Sequence, residues 1–378
     1  MSRANSALIV TLLVAMLPAC SAVPEDGTAT TEDESATEPA LDALTAAQRA
    51  GQRIIYSFPG TTPPPELFDR IRAGEAAGVH FFSANVASPA QIRAVIAELA
   101  QAQEASPIRA PLLFITDQEG GEVRGLPGEP TLSEKQIGES ADAVAQARRA
   151  GTDAAQNLRG VGMNVNLAPV LDVFREPGNF IDQAGRSFSD DPNVVRRLGT
   201  AFIKAERDVG IAPSSKHFPG LGSARVDQNT DEAPVTLPVS RAELRRVDEA
   251  PYAAAISAGV KVIMLSWATY PSLDADRPAG LSPIVLQNEL RTRLGFKGVT
   301  ISDTLIAGAV VPFGTVGQRG VLAAEAGIDL LLCSFGDVSQ GDEARDALAE
   351  ALQNGQLDRR RFNAAVRRVT ALRNDLRP

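Results

Sequence analysis

Four clusters of ionisable residues stand at matching places in this chain, each at the end of a short apolar run: Asp117-Gln118-Glu119, Asp172, Lys216-His217 and Asp303. An acid in that position can cap the helix that follows. It can also belong to a common site, if the runs are parallel strands whose ends converge. Four such clusters in one chain make capping alone a poor explanation. Two of them carry further signs of ligand contact. Gly120 and Gly121 follow the first cluster, and glycines let backbone approach a ligand closely. Lys216-His217 leads into Phe218-Pro219-Gly220-Leu221-Gly222, a rigid, glycine-rich exit behind two basic groups.

The elements that must hold these clusters are legible as eight apolar runs, Arg53–Phe58, Val79–Asn85, Pro111–Gln118, Val165–Val173, Ser214–Phe218, Val262–Trp267, Val299–Asp303 and Asp329–Ser334. Most are continuous rather than alternating, as in parallel strands buried on both faces. Several are entered through a helix-stopping glycine, as at Gly78, Gly210, Gly259, Gly298 and Gly327. Helix-like stretches separate them, including Pro89–Gln103, Glu139–Leu158, Asn193–Val209, Arg241–Ala258, Ile284–Leu294 and Gln318–Ala326. Asp342–Asp375 reads as two terminal helices with Arg359–Arg361 between them. The alternation predicts a single (β/α)₈ barrel, with a doubly wound open sheet as the alternative. The polar clusters then fall on the C-terminal face of the barrel.

Composition narrows the function. The chain is 44% apolar and 22% charged, enough for a sizeable core, and its net charge of −9 gives no electrostatic footprint for nucleic acid. With two histidines, His80 and His217, and two cysteines, Cys20 and Cys333, no metal-ligand spacing exists and no cofactor is expected. Cys333, inside Leu330-Leu331-Leu332-Cys333, reads as a small core residue.

The N-terminus has a character of its own. Arg3 precedes an apolar stretch over Ala7–Leu17, too short to span a bilayer and of signal-peptide form. Leu17-Pro18-Ala19-Cys20 resembles a lipobox, which implies residues 1–20 as a lipoprotein signal, lipidation at Cys20 and attachment to a membrane in the cell envelope. Plain secretion is the alternative. Residues 21–47 hold seven acids and no Lys or Arg, and read as a disordered acidic tether ahead of a folded domain over 48–378.

Asp117-Gln118-Glu119-Gly120-Gly121, Asn166 through Asp172, Gly185-Arg186-Ser187-Phe188-Ser189-Asp190-Asp191-Pro192, the Lys216–Gly222 segment and Ser302-Asp303 together, in this order, resemble glycoside hydrolase family 3. The likeness is to its single-domain bacterial β-N-acetylhexosaminidase branch and runs from about Ile54 to Ser334. It implies a (β/α)₈ barrel and a retaining hydrolase, in which one carboxylate attacks the anomeric carbon and another group protonates the leaving oxygen. The nucleophile falls on Asp303, which a nearby Lys216 would keep ionised. Sugar-binding roles fall on Asp117, Arg186, Lys216 and His217. The substrate implied is a terminal β-N-acetylglucosaminide of cell-wall or chitin origin, with a plain β-glucoside as the alternative.

Three departures bear on mechanism. The loop that in the family carries Asp-Ser-His, with His as acid/base, here reads Asp227-Gln228-Asn229. Neither arginine of the family's Arg-Val-x-Arg is in place, although Arg124 stands one position from the second. A second histidine is replaced by Leu221. A loop carboxylate is the first candidate for the missing acid: Asp231 is favoured over Asp227 and Glu232, because Asn229-Thr230-Asp231 is a compact turn-forming unit and a carboxyl near apolar surface can stay protonated. Otherwise Asp303 works unaided on activated leaving groups, or the barrel binds a sugar without cleaving it.

Overall fold

The computed structural model describes residue 41 and residues 43–376 other than 335. Residues 1–20, with Cys20, and most of the acidic segment 21–47 lie outside the described residues. Among the described residues no helix is long and apolar enough to cross a membrane. From Leu44 onward the described residues form one compact unit. It opens with α1 (Ala46–Gly51), just ahead of the expected start at Gln48, because Thr45 and Gln48 cap the helix reciprocally.

Eight parallel strands close into a barrel: β1 (Ile54–Tyr56), β2 (Gly78–His80), β3 (Leu113–Thr116), β4 (Val165–Asn166), β5 (Ala212–Phe218), β6 (Val262–Leu265), β7 (Val299–Thr304) and β8 (Leu330–Leu332). Each pairs with its chain neighbours, and β1 closes the ring by pairing with both β2 (Ile55 opposite Gly78) and β8 (Ile54 opposite Leu331). The open-sheet alternative is thereby excluded. All eight expected runs supply a strand. The fourth contributes only two residues to the ladder, although the expected run extends over Val165–Val173. Pro169 has no N–H to donate, so the ladder stops before it and resumes as a single bridge between Val170 and Lys216.

Ile55, Leu113, Ile115, Val165, Val262, Met264, Val299, Ile301, Leu330 and Leu332 form one buried cluster inside the barrel, and each such aliphatic contributes on the order of 1.5–3 kcal/mol on burial. Helices α2 (Pro65–Arg72), α3 (Pro89–Glu104), α4 (Ala143–Val161), α5 (Pro192–Val209), α6 (Ala250–Ser257), a π-helix over Ile284–Arg293, α7 (Val316–Ala326) and α8 (Val338–Gln353) follow the strands in turn. The two expected terminal helices are present, but the break between them falls at 354–358 and not at Arg359–Arg361. Asp358 caps α9 (Arg359–Asp375), and the three arginines are its first turn. Val369 and Leu372 of α9 join the barrel cluster, while Arg373 donates to the carbonyls of Ala110 and Pro111 just before β3. This closes the N-terminal end of the barrel and leaves the C-terminal end as the open one.

Candidate active site

A cavity of about 340 Å³ opens at the C-terminal ends of the strands, within the range of small-molecule sites. Asp117, Arg124, Arg186, Lys216, His217, Asp231 and Asp303 all line it, and so does His80. Asp227 does not. A larger cleft of about 840 Å³ lies on the other side of the barrel, around Leu112, Asn164 and Ile211, and none of these groups reaches it. None of Asp117, Asp172 and Asp303 caps a helix; the N-cap positions of α4, α5, α7 and α8 are Asp142, Asp191, Thr315 and Asp337.

The third strand turns directly into a hairpin, Gln118–Gly120 with Val123–Arg124. Gly120 has φ +115°, and a Cβ there would stand 2.3 Å from the Leu132 carbonyl, so only glycine makes this turn. The turn leaves Asp117 at the cavity wall and sends Glu119 behind it. Lys216 Nζ reaches Asp117 Oδ1 at 2.5 Å and Glu119 Oε1 at 2.6 Å. Arg186 grips Glu119 bidentately, Nε to Oε2 at 2.9 Å and Nη2 to Oε1 at 2.8 Å. Lys216 thus directs its charge at Asp117 and Glu119, not at Asp303 as the sequence led us to expect. Burial works against ionisation throughout this cluster, yet each charge is held. The Lys216 ammonium and a hydrogen bond from His80 keep the Asp117 carboxyl well below the usual range. Arg186 and then Lys216 depress Glu119. Against its own burial, Lys216 is raised by the two carboxylates.

Glu119 has no role in the sequence reading beyond its place in a motif, since its importance depends on contacts with residues far along the chain. Replacing Glu119 with Ala leaves two buried cations without their shared counter-ion, so it should destabilise the fold by about 3–5 kcal/mol. A calorimetric melting temperature within about 1 °C of the parent would contradict this.

His217 is oriented from behind. Its Nδ1 lies 2.7 Å from Asp172 Oδ2, and Asp172 Oδ1 also accepts the Leu221 amide at 2.7 Å. Asp172 is fully buried, its Oδ1 already accepting backbone amides, and with its Oδ2 as acceptor the ring donates from Nδ1 and leaves Nε2 for a ligand. Arg124 is steadied by donating from Nη1 to the Gly128 carbonyl at 2.7 Å.

Asp303 ends β7, where Oδ1 accepts the Thr304 amide at 2.7 Å. The strand end is fixed by Trp267, whose buried indole donates to the Thr304 carbonyl at 2.8 Å. The segment after β7 carries the β5 loop with it. Gly308 N donates to the Asp231 carbonyl at 2.7 Å and Ala309 N to the Thr230 carbonyl at 3.0 Å. A Cβ on Gly308 would collide with the Glu232 carbonyl at 2.0 Å, so the close approach needs glycine. Asn229 does not line the cavity. Its Oδ1 accepts the Asp231 amide at 3.0 Å and its Nδ2 donates to Glu232. That turn presents Asp231 to the cavity beside Asp303. Although the residue is exposed on its outer side, the protein around the carboxyl and then the negative charge of Asp303 raise its pKa. Asp227 is exposed and paired with Arg225 at 3.1 and 3.2 Å, which lowers its pKa. Its side chain is thus turned to solvent and has the wrong shift for an acid that must hold a proton.

The profile described as "Glycosyl hydrolase family 3 N terminal domain" matches residues 59–372. An "Uncharacterized secreted glycosyl hydrolase" of Arthroderma benhamiae is 45% identical over 336 residues, covering 88% of this chain and 95% of its own length. A β-hexosaminidase of Xylella fastidiosa is 35% identical over 286 residues, 74% of this chain and 82% of that protein. The β-N-acetylhexosaminidase structure from Beutenbergia cavernae superposes with a TM-score of 0.79 at 32% identity, covering 87% of this chain and 98% of that one. A family 3 β-N-acetylglucosaminidase from a Paenibacillus species superposes with a TM-score of 0.83 at 34% identity over 88% of this chain; the match spans only 63% of that longer protein.

Proposed function

The chain belongs to glycosyl hydrolase family 3, and on that premise we propose that it removes terminal β-linked N-acetylglucosamine by a retaining mechanism, with Asp303 as nucleophile and Asp231 as acid/base. The observation that carries this reading is the meeting of Asp303 and Asp231 in one cavity, the second with its pKa raised. Asp303 attacks the anomeric carbon as Asp231 gives its proton to the leaving oxygen. Asp231, now ionised, then takes a proton from the water that releases the sugar from Asp303. Asp117 accepts from ring hydroxyls, while Arg124, Arg186, Lys216 and His217 donate to or orient the rest. The N-acetyl preference is supported by the names of relatives that act as β-hexosaminidases. The leader-like residues before Cys20 support an exported enzyme, lipid-anchored at Cys20 in the cell envelope.

Release of nitrophenol from the β-N-acetylglucosaminide and from the matching β-glucoside tests the assignment. The acetamido sugar should be cleaved at least about tenfold better in kcat/KM. Preference for the glucoside would overturn the substrate, and sugar binding without cleavage of either would make the protein a binder.

A further inference from the structure

His80 ends β2 and is almost completely buried, with 2% of its surface exposed. Both ring nitrogens are engaged by groups on other strands. Nε2 lies 3.1 Å from Asp117 Oδ2 at the end of β3, and Nδ1 lies 3.0 Å from Ser334 Oγ just past β8. The ring also packs on Phe82, centroid to centroid at 4.3 Å. Because the Asp117 carboxylate only accepts, Nε2 carries the proton, and in the neutral ring Nδ1 accepts from the Ser334 hydroxyl. Lys216 sits on the other oxygen of Asp117, and Glu122, Arg124, Arg186, Asp231 and Asp303 line the same cavity.

The structure assigns His80 the role of a positioning residue for the sugar-binding carboxylate of Asp117, an inference that rests on the site proposed above. A carboxylate offers about four lone-pair directions. Lys216 takes one on Oδ1 and His80 one on Oδ2, which fixes the carboxylate plane and leaves one direction on each oxygen. The Asp117 side chain remains 27% exposed, so those two directions are open to the cavity. Two acceptors in a fixed plane match a pair of neighbouring sugar hydroxyls. Without His80, Oδ2 is released and the carboxylate can turn about the Lys216 contact. The two acceptors then lose their fixed spacing before substrate arrives, so the loss falls on binding and leaves the chemistry at Asp303 intact.

Two polar replacements separate this from a packing role. Glutamine places its amide nitrogen near the position of Nε2 and can still donate to Asp117. Asparagine reaches only toward the Nδ1 position, keeping a partner for Ser334 and losing Asp117. His80→Asn should raise KM for the aryl β-N-acetylglucosaminide, and Kd for free N-acetylglucosamine by calorimetry, roughly tenfold with kcat within about threefold. His80→Gln should restore most of that loss. Equal KM values for the two variants, or a fall in kcat without a rise in KM, would overturn the assignment. The calorimetric arm separates the two readings. If the parent protein binds the sugar without cleaving it and His80→Asn still weakens binding relative to His80→Gln, the proposed reaction falls and the role of His80 stands. A parent that neither binds nor cleaves overturns both.

Discussion

Replacing Asp303 with Asn should lower kcat/KM for an aryl β-N-acetylglucosaminide on the order of 10⁴-fold or more, the scale seen when a nucleophile is removed from a site that otherwise stays assembled. The substitution is nearly isosteric. The Asn carbonyl oxygen can accept the Thr304 amide as Oδ1 does now, and Trp267 still holds the strand end through the Thr304 carbonyl. Sugar affinity should therefore stay within a few fold, because Asp117, Lys216, Arg186 and His217 are positioned by one another and by Glu119 and Asp172, not by Asp303. A variant that retains a tenth or more of parental turnover would reject Asp303 as nucleophile.

Replacing Asp231 with Asn should divide substrates by leaving group. For an alkyl or sugar leaving group, which departs only when protonated, kcat/KM should fall by about 10²–10⁴-fold. For an acidic nitrophenol, which leaves as its anion, the fall in that step should be small. The pH dependence has a defined sign. Asp231 must be protonated to act, and its pKa is raised by the surrounding protein and by the charge of Asp303. Activity on poor leaving groups is then present below that pKa and lost as pH rises through it. In the Asn variant this basic limb should disappear. An equal loss on both leaving-group classes, or an unchanged basic limb, would remove Asp231 from the role.

The barrel was legible because its strands are buried on both faces, which leaves short continuous apolar runs, and because helical stretches alternate with them. What failed locally has local causes. The run at Val165–Val173 reads as one strand straight through Pro169, where the ladder is in fact interrupted. α2 is not among the stretches singled out because it is short: Leu67 and Ile71, four residues apart on its buried face, give a single apolar repeat among charged neighbours. Arg359–Arg361 looked like a break, yet a capping aspartate just before it starts a helix there. In the site, residues at strand ends could be named because the barrel brings them together by topology. Their partners could not. Glu119 bridges groups from β5 and from the loop after β4, and His80 meets Asp117 and Ser334 only across the ring of strands. Asp231 and Asp227 are separated in role by a turn at Asn229 and an ion pair with Arg225, two contacts on the same loop that composition does not distinguish.

A retaining mechanism passes through a sugar bound covalently to one carboxylate. Brief incubation with a fluorinated N-acetylglucosaminyl donor whose leaving group is activated should trap that intermediate. Mass spectrometry of the intact protein should then show one added glycosyl residue, peptide mapping should place it on Asp303, and the Asp303→Asn variant should show none. A modification on another residue, or turnover of the donor with no adduct at any time, would rule out Asp303 as the nucleophile.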